Sequence, residues 1–356
     1  MFGGCYHGKR VLVTGHTGFK GSWLSLWLGS LGAQVSGLAL APSSTPSHWD
    51  LLGQGMEDRR GDIRDADLVL RTVNELQPDI IFHLAAQSLV RPSYQDALGT
   101  WASNVMGTAH VLEACRHVKS VRAIVAVTSD KCYENRETHE PYRETDALGG
   151  HDPYSASKAG AELVAASYRR SYFHEAGAPL LATARAGNVV GGGDWSLDRL
   201  LPDLVRAIGD GVPLEIRAPR ATRPWQHVLD SLSGYLLVGQ RLLEGHANVA
   251  SAWNFGPAPS DICSVEAVLG KLKPHWPELD WKLSAQSHPH EAALLQLDSA
   301  KAHDQLGWSP AWGLDEALEA TSSWYRTFMN EQRVVSHEQL GAYADAARAR
   351  GLAWAQ

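Results

Sequence analysis

The sequence predicts an α/β protein: a doubly wound parallel sheet followed by a smaller mixed α/β domain. Two observations predict it. Through the first half, short apolar runs alternate with amphipathic stretches of helical length, as strands do with crossover helices. The first run also passes straight into a glycine-rich turn, Gly15-His16-Thr17-Gly18-Phe19-Lys20-Gly21, and from there into a helical stretch.

Lys9 to Thr14 (KRVLVT) is apolar enough for a strand covered on both faces. Gly18 to Leu31 follows as a helix and Gln34 to Leu40 as a second strand. Asp65 to Leu76 is helical and leads into the strand Asp79 to Ala85 (DIIFHLA). Ser103 to His117 is helical, Val121 to Thr128 (VRAIVAVT) is a strand, Asp152 to His174 is a long helix, and Leu180 to Ala186 is again a strand. Right-handed crossovers then place a ligand at the carboxyl ends of the strands. After about residue 187 the pattern loosens, with Gly191-Gly192-Gly193, Pro202, Pro213, Pro219 and Pro224 punctuating short elements. Trp253 to Gly256 (WNFG) reads as a strand returning to the main sheet. The expected first domain is 1–187 plus about 222–258, and the second about 188–221 plus 259–335. An Ala-rich helical tail, 336–356, closes the chain.

Composition narrows the setting. Over 356 residues, 32 basic against 39 acidic side chains leave a net charge of −7. That speaks against a general nucleic-acid or anionic-membrane surface. No apolar run nears the roughly 20 residues that span a bilayer. The opening stretch MFGGCYHGKRVLVTG lacks the long apolar region and cleavage site of a secretory signal. Cys5, Cys115, Cys132 and Cys263 are scattered without a Cys-x-x-Cys pair, as expected of reduced thiols in a cytoplasmic protein. His288 and His290 come closest to a metal pair but lack a third ligand at useful spacing, so no metal is expected. Most of the 13 tryptophans are expected in packing, while Trp195 and Trp225 sit in motifs where an indole can stack on a base.

In the glycine turn, Gly15 suits the tight bend, Gly18 lets the backbone approach a pyrophosphate and Gly21 lets the helix pack closely. The unpaired N–H groups of the helix start, with Thr17, Phe19 and Lys20 in the same turn, face the phosphates. The first domain is therefore a Rossmann-type dinucleotide-binding unit. The end of the second strand, Leu38-Ala39-Leu40-Ala41, has neither a carboxylate for ribose hydroxyls nor an adjacent arginine for a 2′-phosphate, so it does not separate NAD from NADP. Asp62 is placed to contact adenine or, equally, to cap the helix that follows.

Tyr154 and Lys158 are four residues apart and share one face of the long helix. An ammonium near a phenol stabilises the phenolate, which lowers the tyrosine toward the working pH and makes it a general base. The preceding strand ends in Thr128-Ser129-Asp130-Lys131-Cys132-Tyr133. It offers a hydroxyl to a substrate oxygen, then an acid and a potential base. Oxidation of an alcohol by a nicotinamide is the chemistry these groups suit.

The motifs Gly-His-Thr-Gly-Phe-Lys-Gly-Ser-Trp-Leu (15–24), His-Leu-Ala-Ala-Gln (83–87), Thr-Ser-Asp-Lys-Cys-Tyr (128–133) and Asp-Pro-Tyr-Ser-Ala-Ser-Lys (152–158) resemble those of the extended short-chain dehydrogenases/reductases. Within that family the chain is similar to nucleotide-sugar 4,6-dehydratases. Arg-Ala-Gly-Asn-Val-Val-Gly-Gly-Gly-Asp-Trp (185–195) and Arg-Pro-Trp-Gln-His-Val-Leu (223–229) point to the branch acting on CDP-sugars. The likeness runs from about Lys9 to about Trp324. It implies NAD as cofactor, held also by Ile63, Leu84, Ala85, Ala86, Gln87, Asn104 and Thr128. It implies conversion of CDP-glucose to CDP-4-keto-6-deoxyglucose and water: Tyr154 takes the C4 hydroxyl proton, Ser129 binds the C4 oxygen, and Asp130 protonates the departing C6 hydroxyl. Lys131 departs from the dTDP-glucose branch, where a glutamate removes the C5 proton; a lysine does so only as the neutral amine. Gln87, Asn188, Arg199 and His227 are expected at the sugar nucleotide, and Arg217 and Arg223 at its diphosphate. A homodimer or homotetramer is expected, paired through helices 103–117 and 152–174.

Two other readings use the same residues. An epimerase or simple dehydrogenase on this fold needs no acid and base beside the tyrosine, and Asp130-Lys131 argues against it. A non-catalytic dinucleotide sensor would dispense with the tyrosine or the lysine, and both are present.

Overall fold

The structure, a computed structural model, describes residues 1–53, 55–285 and 294–356. The strands are β1 (Arg10–Thr14), β2 (Gln34–Ala39), β3 (Glu57–Arg60), β4 (Ile80–His83), β5 (Ala123–Val127), β6 (Leu180–Ala186), β7 (Asn188–Val190), β8 (Leu214–Ile216), β9 (Thr222–His227), β10 (Ala252–Phe255), β11 (Ile262–Ser264) and β12 (Trp281–Leu283). Seven of them form one sheet in the order β10-β6-β5-β4-β1-β2-β3. Every pairing in it is parallel. Central strands such as β4 (IIFH) are buried along their whole length because helices cover both faces. The direction of strand order reverses between β1 and β4, which opens a crevice at their carboxyl ends.

The helices that bound this crevice have local causes. Asp65 caps Ala66–Leu76, accepting from Leu68 N at 2.9 Å. Asp152 caps Pro153–Ser171 through Ser155 N at 2.9 Å, with proline in the first turn where its missing N–H costs nothing. Phe19–Ser30 begins after Gly18 with no side-chain cap, leaving its first N–H groups for something else.

Two features differ from expectation. β3 reads Glu-Asp-Arg-Arg, a charged segment that alternation cannot reveal; it lies at the sheet edge, where charge blunts unwanted pairing. β9, expected with the first domain, instead joins a separate three-stranded sheet between β7 and β11. The tail from Ser336 is helical, as expected. Helix Ser336–Ala349 docks on the core through Tyr343, whose hydroxyl donates to the buried Asp230 Oδ1 at 2.7 Å.

A seam of aromatic rings crosses the molecule along this docked segment. Trp195 packs on Trp324 (6.4 Å), which meets His48 (5.8 Å), then Trp23 (4.9 Å) and His227 (6.3 Å). From His227 it continues to Trp312 (4.8 Å), Tyr343 (5.1 Å), Trp354 (5.9 Å) and Phe2 (5.1 Å). The tryptophans of the second half are thus mostly packing, as the sequence suggested.

Candidate active site

The crevice between β1 and β4 is built by backbone. Gly15 has φ +77°, and a Cβ there would lie 2.7 Å from Ala85 N. A Cβ on Gly21 would lie 2.1 Å from Gly15 O. Only glycine lets the two chain segments approach this closely, and the result is a cradle at an uncapped helix N-terminus. The cavity above it has a volume of about 560 Å³. Of the residues assigned to the cofactor from the sequence, all except Asn104 line it.

The adenosine end departs from the common pattern. Leu40 and Ala41 line the wall, together with Ser43, Ser44 and Ser47. Asp62 faces the cavity with its carboxylate held by Arg64 Nε at 2.8 Å. The helix cap is Asp65, so the capping reading of Asp62 falls away. Arg60 does stand near the second-strand end, donating to Leu40 O at 3.0 Å, but outside the cavity wall. Asn104 is buried beneath: it accepts from Gln87 N (2.9 Å) and donates to Ser157 Oγ (2.8 Å), tying the loop after β4 to helix Pro153–Ser171.

At the end of β5 the chain turns through Asp130–Cys132, with the Ser129 hydroxyl accepting from Lys131 N at 3.2 Å. That hydroxyl donates to Asp130 Oδ1 at 3.0 Å and hydrogen-bonds Tyr154. Asp130 is only 3% exposed, and its Oδ2 is buried without a partner. Burial raises this carboxyl, against the pull of Lys131, Ser129, Lys20 and Arg223. Burial also pushes the Tyr154 phenol up to about 12, reinforced by Asp130 and opposed by the Ser129 hydrogen bond and Arg199. This reverses the expected lowering. The Lys158 Nζ donates to Val127 O at 3.3 Å, and burial lowers it to about 8. Lys20 is half-buried, lowered to about 7 mainly by desolvation, and donates to Tyr235 Oη at 3.2 Å.

Beyond Tyr154 opens a second cavity of about 450 Å³. Ser129, Asp130, Lys131, Tyr154, Asn188, Arg199, Arg217 and Trp225 line it. Ser129, Tyr154 and Arg199 belong to both cavities and form the passage between them. Three expected substrate residues stand elsewhere. Gln87 lines the first cavity, its amide pinned to Leu89 O at 2.9 Å. Arg223 is 7% exposed behind Asp130 and donates to Thr222 O at 3.0 Å. His227 is fully buried; its Nδ1 accepts from Leu229 N at 3.3 Å to cap the helix Val228–Leu243. Motif adjacency drew these two toward the site, while the fold of β9 leaves both out of the lining of either cavity. Sequence reasoning missed Arg91 and Asp198, which line the second cavity from separate segments and carry no local motif. Among the described residues no group of His, Cys, Asp and Glu is arranged to hold a metal; His288 and His290 lie outside them.

The model of the GDP-mannose 4,6 dehydratase family matches residues 12–321. The chain belongs to this family. With it, the chain is an extended short-chain dehydrogenase/reductase. It is 47% identical over 350 residues to a CDP-glucose 4,6-dehydratase of Salmonella typhimurium, covering 96% of this chain and 98% of that one. Among solved structures it superposes on epimerase Mth375 of Methanothermobacter thermautotrophicus with TM-score 0.82 at 26% identity, covering 92% and 95% of the two chains. A complex of MoeE5 with UDP-glucose and NAD matches with TM-score 0.76 at 25% identity, covering 90% and 100%.

Proposed function

We propose that the protein dehydrates CDP-glucose to CDP-4-keto-6-deoxyglucose and water with NAD as a regenerated cofactor. The observation that carries the reading is Asp130: a buried carboxyl, raised by its surroundings, with one oxygen unpartnered beside the Tyr154–Ser129 pair. An epimerase needs no such acid, so the likeness to Mth375 speaks for the fold and Asp130 for the reaction. The near full-length identity to the Salmonella enzyme supports CDP-glucose as the substrate.

The glycine cradle and the uncapped helix start suit a dinucleotide pyrophosphate, with Thr17, Phe19, Asp62 and the 84–87 loop around it. NAD bound there would supply reversible hydride transfer, out at C4 and back at C6, so the reaction has no net redox change. The chain's own residues move the protons. Ser129 holds the C4 oxygen while Tyr154 accepts its proton; a positive charge in the cavity that Tyr154 and Lys158 line favours the phenolate. The resulting ketone acidifies the C5 hydrogen, which passes as a proton to the neutral amine of Lys131 and is given back to C5 once hydride has reached C6. Asp130 gives its proton to the C6 hydroxyl, and water leaves. Asn188, Arg199 and Arg217 hold the nucleotide sugar.

Incubation with CDP-glucose should give a product lighter by one water; a product of unchanged mass rejects dehydration, and turnover of another nucleotide hexose alone rejects the base. Lys131→Met should stop solvent exchange at C5, and exchange at the normal rate removes Lys131 from the role of base.

The same reading makes the protein a cytoplasmic homodimer. Its four cysteines are unpaired thiols, and Met106 and Leu163 stand exposed on the helices expected to pair. Sedimentation tests the dimer: Leu163→Glu should shift it to monomer.

A further inference from the structure

The sequence offers Arg217 and Arg223 for a diphosphate, and the structure separates them. The guanidinium that accompanies Arg217 is Arg91. Arg91 Nη1 lies 2.8 Å from Asp198 Oδ1, and Arg217 Nη1 lies 3.4 Å from the same oxygen. All three side chains line the cavity that holds Ser129 and Tyr154. They come from three places: Arg91 from the helix Val90–Gln95 after β4, Asp198 from the loop before helix Leu200–Asp210, and Arg217 from just after β8.

Asp198 adopts φ +61°, a left-handed conformation that a non-glycine residue adopts at some cost. The loop thus bends to present a carboxylate to two arginines. The side chains are 34%, 32% and 27% exposed for Arg91, Asp198 and Arg217, so water reaches the cluster. Ion pairs this exposed add little stability. A phosphate offers each fork two oxygens and more charge than the carboxylate does.

We propose that Arg91 is a substrate-binding residue: with Arg217 it holds the diphosphate of the nucleotide sugar, and Asp198 occupies both guanidiniums until the diphosphate displaces it. This rests on the nucleotide-sugar reading, and on neither the base nor the sugar. Arg91 follows β4 and Arg217 follows β8, so one anion on both ties the sheet side of the cavity to the substrate side. The hexose is then held at a fixed distance from Tyr154.

Calorimetric titration of the full chain with CDP, UDP and cytidine tests this. Arg91→Met should weaken CDP and UDP by the same factor, about 10–100-fold, because each loses one charged, forked hydrogen-bond partner. Cytidine binding should be unchanged, and KM for the sugar nucleotide should rise with kcat kept. Asp198→Asn should tighten CDP a few-fold, since the competing charge is gone. Arg91→Lys, which keeps charge and loses the fork, should fall between and serves if the methionine variant does not fold. Unchanged CDP affinity in a folded Arg91 variant overturns the proposal, as does an Asp198→Asn variant that weakens CDP. A wild-type protein that prefers UDP overturns only the assignment of the base, and the Arg91 effect then persists. One that binds neither nucleotide overturns both.

Discussion

The two cavities share a wall and are made of different materials. The side proposed for the cofactor is shaped by backbone: glycines at 15 and 21 that no Cβ can replace and an uncapped helix start, with the buried His48 in its wall. The substrate side is shaped by ions: Arg91 and Arg217 on Asp198, Arg199 on Asp194 at 3.4 Å, Arg223 behind Asp130. A backbone site has one arrangement and fails by steric clash. An ionic site has alternative partners and fails by loss or shift of charge. Between them stand Ser129 and Tyr154, where both designs meet.

Variants on each side should fail in their own way. The largest effect is expected at the meeting point. Asp130→Asn removes the positioned acid and should lower kcat about 10²–10⁴-fold, with melting temperature and cofactor retention kept; a normal kcat would break the assignment of dehydration to this residue. On the backbone side, Gly21→Ala should expel the cofactor, because its new Cβ would sit 2.1 Å from Gly15 O. Its stability should fall by about 1–3 kcal/mol, the usual range for overpacking, read by melting and by the nucleotide released on denaturation. Retention of cofactor would show that the cradle has slack.

On the ionic side the two arginines of the original sequence assignment should part ways. Arg217→Met should raise KM about tenfold, the worth of a charged hydrogen bond, and leave kcat alone. Arg223→Met should leave KM alone and move the alkaline limb of kcat upward by about half a pH unit. The sign follows from Asp130 having to be protonated to act: removing a cation beside it raises its pKa and extends activity to higher pH. Identical effects from both variants would erase the distinction.

The smallest effect concerns stability. Burial holds His48, His83 and His227 down to about 3 from 6.5, with Lys158 adding to the effect on His83. Their contribution is present above pH 6.5 and is lost as pH falls toward 3. Burial holds Asp230 up to about 7 from 3.8, so its contribution is present below pH 3.8 and lost as pH rises through 7. Three histidines outweigh one aspartate, and stability should decline from pH 6.5 downward. Asp230→Asn removes the opposing term and should steepen that decline in denaturant titrations; an unchanged slope would place the aspartate at its ordinary value in the fold.

What could be read in the sequence follows the same divide. The strand KRVLVT, the glycine turn and the Tyr154–Lys158 spacing are local patterns, and each maps onto an element or a cavity wall. The four-residue spacing did not reveal that burial would outweigh the ammonium, because desolvation depends on everything packed around the phenol. Strand Glu57–Arg60 escaped because its charges suit an edge and break alternation. Arg91 and Asp198 are 107 residues apart, and nothing in either segment announces the other. His227 was misplaced because its neighbours in sequence line a cavity while its own ring turns into the core against Trp312.

The aromatic seam gives the molecule an optical property. Indoles in contact, or separated by a single ring as along this seam, pass excitation among themselves, so light absorbed at Trp354 or Trp312 can migrate along it. Its near end, Trp195, lines the dinucleotide cavity. A reduced nicotinamide absorbs where indole emits. The intrinsic fluorescence of the whole protein therefore reports, without a label, on what occupies that cavity and in which redox state.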